Sequence, residues 1–244
     1  MEEQMSPILI GGAMDIEISL LLDKMDAPIK TTIGGYSFWE GTLFDHAVVV
    51  YKTEIGMTNA ASATTVGILH FHPRMVLNLG TAGGHDPSLS RMALVLGERC
   101  FNVPSFESLP RKQGEGVHLE EWKHTDFKDF DGSHCEKDPL ACDAGLLERA
   151  MMLQGCWDGQ LVTGVLASGD IWNREVDRIL YLHHTYGTSC EDMESAAVYA
   201  VANRFGVPVL GIRVISNNEI LGDVYDRNTA TQCQRFVLHF LTLL

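Results

Sequence analysis

A chain of 244 residues that is 45% apolar and 20% charged can bury a sizeable core, which excludes a disordered segment. Its net charge of −14 excludes a nucleic-acid binder, because neutralising phosphates takes clustered Lys and Arg, but it leaves room for a nucleoside, which carries no phosphate. There is no apolar run of about 18 residues to cross a bilayer, no CxxC pair among the six cysteines, and no basic leader before the first apolar run, so the expectation is a cytoplasmic protein with reduced thiols and no membrane partner.

In chain order, Ser6–Met14 is a short apolar run ending in glycines, a buried strand entering a loop. Residues 15–25 carry apolar side chains at 16, 18, 20, 21, 22 and 25, suited to a helix. Residues 34–44 and 46–54 read as two strands joined at Asp45-His46 in a hairpin. Residues 57–72, rich in small side chains, predict a helix packed closely on a sheet, and 74–86 repeat the strand-then-glycine pattern. Residues 92–103 read as a strand.

From Pro104 to about Pro139 periodicity disappears, and an irregular excursion of this length predicts a lid or an interface element. A helix (144–154), a strand (159–168), a helix (174–184) and an apolar helix opened by the acids Glu191, Asp192 and Glu194 follow. A strand (208–216) and a final helix (229–244) complete the chain. Strands alternating with helices, several of them apolar throughout, predict a single α/β domain with a mixed, mostly parallel sheet covered on both faces.

Ligands of such sheets bind beyond the carboxyl ends of the strands. Four exits carry small or polar residues there: "GGAMDIE" (11–17), "NLGTAGGHD" (78–86), "ASGDIWN" (167–173) and "ISNN" (215–218). Together with "EIGMTNAAS" (54–62) and "DMESAAV" (192–198), these segments in this order resemble the nucleoside phosphorylase/nucleosidase superfamily, most closely its 5'-methylthioadenosine/S-adenosylhomocysteine nucleosidases. The resemblance runs from about Ile8 to the C-terminus and is poorest over 104–139.

That resemblance implies hydrolysis of a purine nucleoside's C1'–N9 bond through an oxocarbenium-like state, by a homodimer needing no cofactor and no metal. Glu17 matches the family's water-activating carboxylate, although a first-turn acid also suits the helix dipole. Glu194 matches the acceptor of the 2'- and 3'-hydroxyls, with Met193 packed under the sugar. Trp172 matches the aromatic that stacks on the purine, with Ile171 beside it in the base pocket. Thr81 and Gly83 line the loop where backbone approaches the ligand, or form a tight turn. Met14 and Met57 are walls of the sugar or 5'-substituent pocket, or ordinary core.

At Asn217, after Ser216, the family's nucleosidases carry an aspartic acid that protonates purine N7. An amide cannot give up a full proton, but it accepts from a protonated N7 and donates to a 6-oxo group. Asn here resembles the 6-oxopurine branches, futalosine hydrolases and trimeric purine nucleoside phosphorylases, and it opens a second base class beside adenine. A phosphorylase and a silent nucleoside-binding or storage protein stay as alternatives. Phosphorolysis needs arginines in a phosphate pocket; neither glycine loop has one, and Arg213, inside a strand, is the residue that could reach the cleft. The histidines at 70, 72, 183 and 184 have no zinc-ligand company, and neither GxSxG nor GxGxxG occurs.

Overall fold

The computed structural model of the protein describes residues 6–125 and 140–244. Three apolar runs, β1 (Ile8–Gly12), β5 (Met75–Gly84) and β11 (Val209–Asn217), lie side by side and parallel at the middle of a nine-stranded sheet. With both faces covered by helices, these strands have no solvent face to alternate towards, and all nine residues of β11 are buried.

Beyond β1 the sheet continues through β4 (His46–Lys52, parallel) to β3 (Tyr36–Leu43) and β2 (Asp26–Ile33), both antiparallel. The hairpin read from the sequence is thus two strands of a three-stranded meander. β2 escapes sequence reading because it is an edge strand: most of its residues are exposed, it contains Pro28, and its register slips after Asp26. Proline is tolerated on an edge, where its missing N–H breaks no ladder.

On the other side of β11 runs antiparallel β6 (Leu94–Asn102), then parallel β9 (Leu161–Ser168) and β10 (Thr188–Asp192). The sheet is therefore mixed and mostly parallel, as its alternating pattern implies. β10 also pairs antiparallel with the end of β5, Cys190 with Gly84 and Glu191 with Gly83, so that end of the sheet closes on itself.

On one face α2 (Met57–Phe71) packs with α5 (Ser195–Arg204), small residues such as Ala60, Ala63, Ala196 and Ala202 allowing close approach. The opposite face is covered by α1 (Asp15–Lys24), α3 (Ala144–Met151) and α6 (Ala230–Leu241) through Ile18, Leu21, Leu146, Phe236 and Phe240. The helix α4 (Val176–Tyr186) leads into β10. Within 104–139, the described part holds a small ribbon of β7 (Phe106–Glu107) and β8 (Lys123–His124); the lid-or-interface expectation for 126–139 lies outside the described residues.

Glu191 and Asp192 do not open a helix as the sequence predicts. They end β10, and Glu194 is the N-cap residue of α5, which starts at Ser195. Five polar or small residues, "TSCED", have no apolar alternation to announce a strand: Glu191 and Asp192 line the cavity, Thr188 meets His85, and Cys190 joins the core.

Candidate active site

A cavity of about 270 Å³ opens where β1, β5, β10 and β11 end. Met14, Glu17, Thr81, Gly83, Ile171, Trp172, Met193, Glu194, Ser216 and Asn217 all line it. Met57 does not. It starts α2 and packs against the core between the helices, while its backbone N–H donates to Asp170 Oδ1 at 2.7 Å.

Glu17 sits in the first turn of α1, 2% exposed. Its Oε2 accepts from the N–H groups of Ala13 (2.9 Å) and Met14 (3.1 Å). Its Oε1 accepts from the Thr81 N–H (2.8 Å) and hydroxyl (3.2 Å). The residue thus caps its own helix and faces the cavity. Gly80 makes room, since a Cβ there would stand 3.0 Å from Oε1. Burial pushes the Glu17 carboxyl above its ordinary value, against the pull of the Thr81 N–H and the Arg213 charge. A buried carboxylate with a raised pKa is suited to taking a proton near neutral pH.

Glu194 is buried, its Oε1 accepting from the Gly56 N–H at 3.0 Å. Burial first and the nearby Asp192 second raise its carboxyl well above the usual range. A helix-capping role falls instead to Asp192, whose Oδ1 accepts from the N–H groups of Glu194 and Ser195, both at 3.0 Å.

Arg213 does not reach the cleft. Its Nε donates to Asp192 Oδ2 at 2.6 Å, Nη1 to the Asn78 carbonyl at 3.0 Å, and Nη2 to the Asn78 side chain. Burial raises the Asp192 carboxyl, but the Arg213 guanidinium and the Ser168 and Ser195 hydroxyls outweigh it and leave it low. Among the described residues, no Arg or Lys lines the cavity.

At the far end, Asn217 is buried at the tip of β11, its Oδ1 accepting from the Ser216 hydroxyl at 2.9 Å. Its Nδ2 donates one N–H to Glu219 Oε1 at 3.4 Å, which leaves the second N–H and one lone pair of the oxygen for a ligand. Asn218 is structural: its Nδ2 donates to the carbonyls of Asp86 and Leu89. Trp172 is 63% exposed at the cleft's mouth, edge-on to Tyr225 with ring centroids 5.4 Å apart.

The lining residues that escape sequence reasoning include His85, Asn173 and Glu191. His85 Nε2 meets Glu191 Oε2 at 2.9 Å, His85 Nδ1 meets Thr188 Oγ1 at 2.8 Å, and Asn173 Nδ2 donates to the same Glu191 oxygen at 3.0 Å. All three lie in strand-exit or helix-start segments already singled out, so polarity at a strand exit was the available signal.

A sheet of this topology with an acid-and-amide cleft at its strand ends defines a protein built to hold a small polar molecule. A family model for the phosphorylase superfamily matches residues 7–242, and the chain belongs to that family. It is 32% identical over 214 residues to a 5'-methylthioadenosine/S-adenosylhomocysteine nucleosidase of Geobacillus kaustophilus, covering 85% of this chain and 83% of that one. The fold is shared with the nucleosidase of Neisseria meningitidis in complex with methylthio-immucillin-A (TM-score 0.79, 23% identity, 98% and 100% of the two chains). It is shared equally with the futalosine hydrolase of Helicobacter pylori (TM-score 0.80, 24% identity, 100% of both).

Proposed function

We propose that this chain, acting as one domain, hydrolyses the N-glycosidic bond of a purine nucleoside. The observation that carries the reading is Glu17: a buried carboxylate of raised pKa, held by four donors and turned into a cavity that has an amide and a second carboxylate elsewhere on its wall. Its membership of the phosphorylase superfamily and its 32% identity to a named nucleosidase support the same reaction.

Glu17 takes a proton from water, and the resulting hydroxide adds to C1' as the bond to N9 breaks. Glu194 accepts from the ribose hydroxyls, which holds C1' in line with that water. Met193 and Met14 pack around the sugar, and Trp172 covers the base from the mouth. The electron pair of the broken bond passes to the purine. Asn217 answers it with an N–H aimed at the acceptor edge of the base, where developing charge is stabilised more than ground-state charge.

Water is the nucleophile because, among the described residues, no guanidinium or ammonium lines the cavity to hold a phosphate; the cleft's Arg213 neighbour is spent on Asp192. The enzyme works in the cytoplasm, with thiols such as Cys190 and Cys233 buried and in no disulfide, and as a homodimer whose neighbour closes the 5' end of the pocket. Among the described residues no helix is long and apolar enough to cross a membrane.

Base release in phosphate-free buffer tests the reaction. Turnover that is indifferent to added phosphate supports hydrolysis; turnover that needs phosphate overturns it. Sedimentation at nanomolar concentration tests the dimer, and a fully active monomer would sink that part.

A further inference from the structure

Gln234 is wholly buried in α6, on a face otherwise made of Phe236, Val237, Phe240 and Leu241. A buried amide among apolar neighbours has to find hydrogen-bond partners, and this one finds them in the backbone of α1. Its Oε1 accepts from the Leu20 N–H at 2.7 Å and the Leu21 N–H at 3.4 Å. Its Nε2 donates to the Ile16 carbonyl at 2.8 Å and to the Ala230 carbonyl of its own helix at 3.2 Å. Ile16 and Leu20 stand one helical turn apart, so their carbonyl and N–H are the pair that an α-helix joins by its own bond. One side chain spans that pair. Side chains that enter the backbone ladder in this way set the local course of a helix, and the residue after Ile16 is Glu17.

The neighbouring side chain touches the other half of the Glu17 socket. Cys233 is buried, and its thiol donates to the Gly80 carbonyl at 3.2 Å. Gly80 precedes Thr81, whose N–H and hydroxyl hold Glu17 Oε1, and it is the glycine that leaves room for that oxygen. The contacts therefore close a ring: α1 backbone, Gln234, Cys233, Gly80, Thr81 and back to Glu17. Packing α1 on α6 does not need this. Without the amide, the Ile16 carbonyl and the Leu20 N–H would satisfy each other, and an apolar side chain would fill the space.

We propose that Gln234 is a positioning residue for Glu17: it clamps the first turn of α1 to α6, which Cys233 ties to Gly80, and so sets the gap between the α1 half and the β5 half of the socket. The assignment rests on the reading of Glu17 as the base and deepens it by naming what holds the base in place.

Gln234→Met tests it, because methionine keeps the length and approximate volume of the side chain and removes both polar atoms. With α1 closing its own bond, Tm is expected to fall by only about 2–4 °C. Displacing the base is expected to lower kcat about ten- to a hundredfold. KM is expected to stay within about twofold, since Glu194, Met193 and Trp172 lie on other elements. The ¹³C carboxyl resonance of Glu17, assigned by its absence from Glu17→Gln, reads the position without turnover. A shift of α1 away from β5 loosens the Thr81 donors, which favour the ionised form, so the Glu17 midpoint is expected to rise by about one pH unit while that of Glu194 stays put. An unmoved Glu17 midpoint overturns the assignment, whatever happens to kcat, because the loss would then be one of general packing. So does a Gln234→Met protein that does not fold, which would make the amide a support of the core. Base release by the wild-type protein is read separately. No release from any purine nucleoside, with or without phosphate, removes the hydrolase, while a raised Glu17 midpoint in Gln234→Met still keeps Gln234 as the residue that places this carboxylate.

Discussion

Replacing Glu17 by Gln removes a general base while conserving shape, and the structure says what else it removes. Four donors converge on the carboxylate, the Ala13 and Met14 N–H groups on one oxygen and the Thr81 N–H and hydroxyl on the other. An amide has one oxygen, so one of these sets loses its acceptor and faces an NH2. Leaving a buried donor unsatisfied costs about 1–3 kcal/mol. Part of that is returned, because the native carboxyl is held above its ordinary pKa by burial and the variant buries no charge. For a chain of this size each remaining 1 kcal/mol lowers Tm by about 2–4 °C. Loss of a positioned base lowers kcat by about 10²–10⁴. The assays are single-turnover base release, thermal unfolding and nucleoside binding by calorimetry. The expected result is a kcat collapse, a Tm lower by a few degrees and a nearly unchanged Kd. A kcat within a few-fold of wild type refutes the role of Glu17, and a matching loss of Kd would mean that the residue shapes the pocket instead.

Other expectations share this geometry. Because burial raises Glu17 and Glu194, kcat/KM is expected to fall on the acid side through a midpoint above the ordinary glutamate value of 4.5; an acid limb at or below 4.5 contradicts this. In Glu194→Gln the amide oxygen stays on the Gly56 N–H, so an acceptor for the sugar becomes a donor. KM for a riboside is expected to rise about tenfold or more, with little change for the 2',3'-dideoxy analogue. Asp192→Asn breaks a buried pair with Arg213 and is expected to cost about 3–5 kcal/mol in denaturant unfolding. The native Asp192 carboxyl is depressed, so its contribution to stability is full above the unfolded-state value and is lost as pH falls through the folded one; that part of the acid dependence is expected to flatten in the variant. A variant as stable as wild type at neutral pH would show that the pair is not what holds β10 to β11.

Much of the architecture was legible because burial on both faces writes itself as uninterrupted apolar runs, as in "ILI" of β1 and "VLGIRVI" of β11. The strand exits were legible for the complementary reason. Where a strand stops packing and starts facing a ligand, its composition turns small and polar, which marks the exits; the resemblance to the nucleosidases singles out Glu17, Thr81, Glu194 and Asn217, and all four line one cavity. What tertiary structure alone decided is direction and partnership. Arg213 sits in the same strand as Asn217, yet it points at Asp192 and Asn78, because a buried guanidinium needs a carboxylate and carbonyls around it. β10 ends in Glu191 and Asp192, which line the cavity, and its short polar sequence carries no strand signal. His85 and Glu191 are 106 residues apart, and neither predicts the other. Only the closing of β10 onto the end of β5 brings them together.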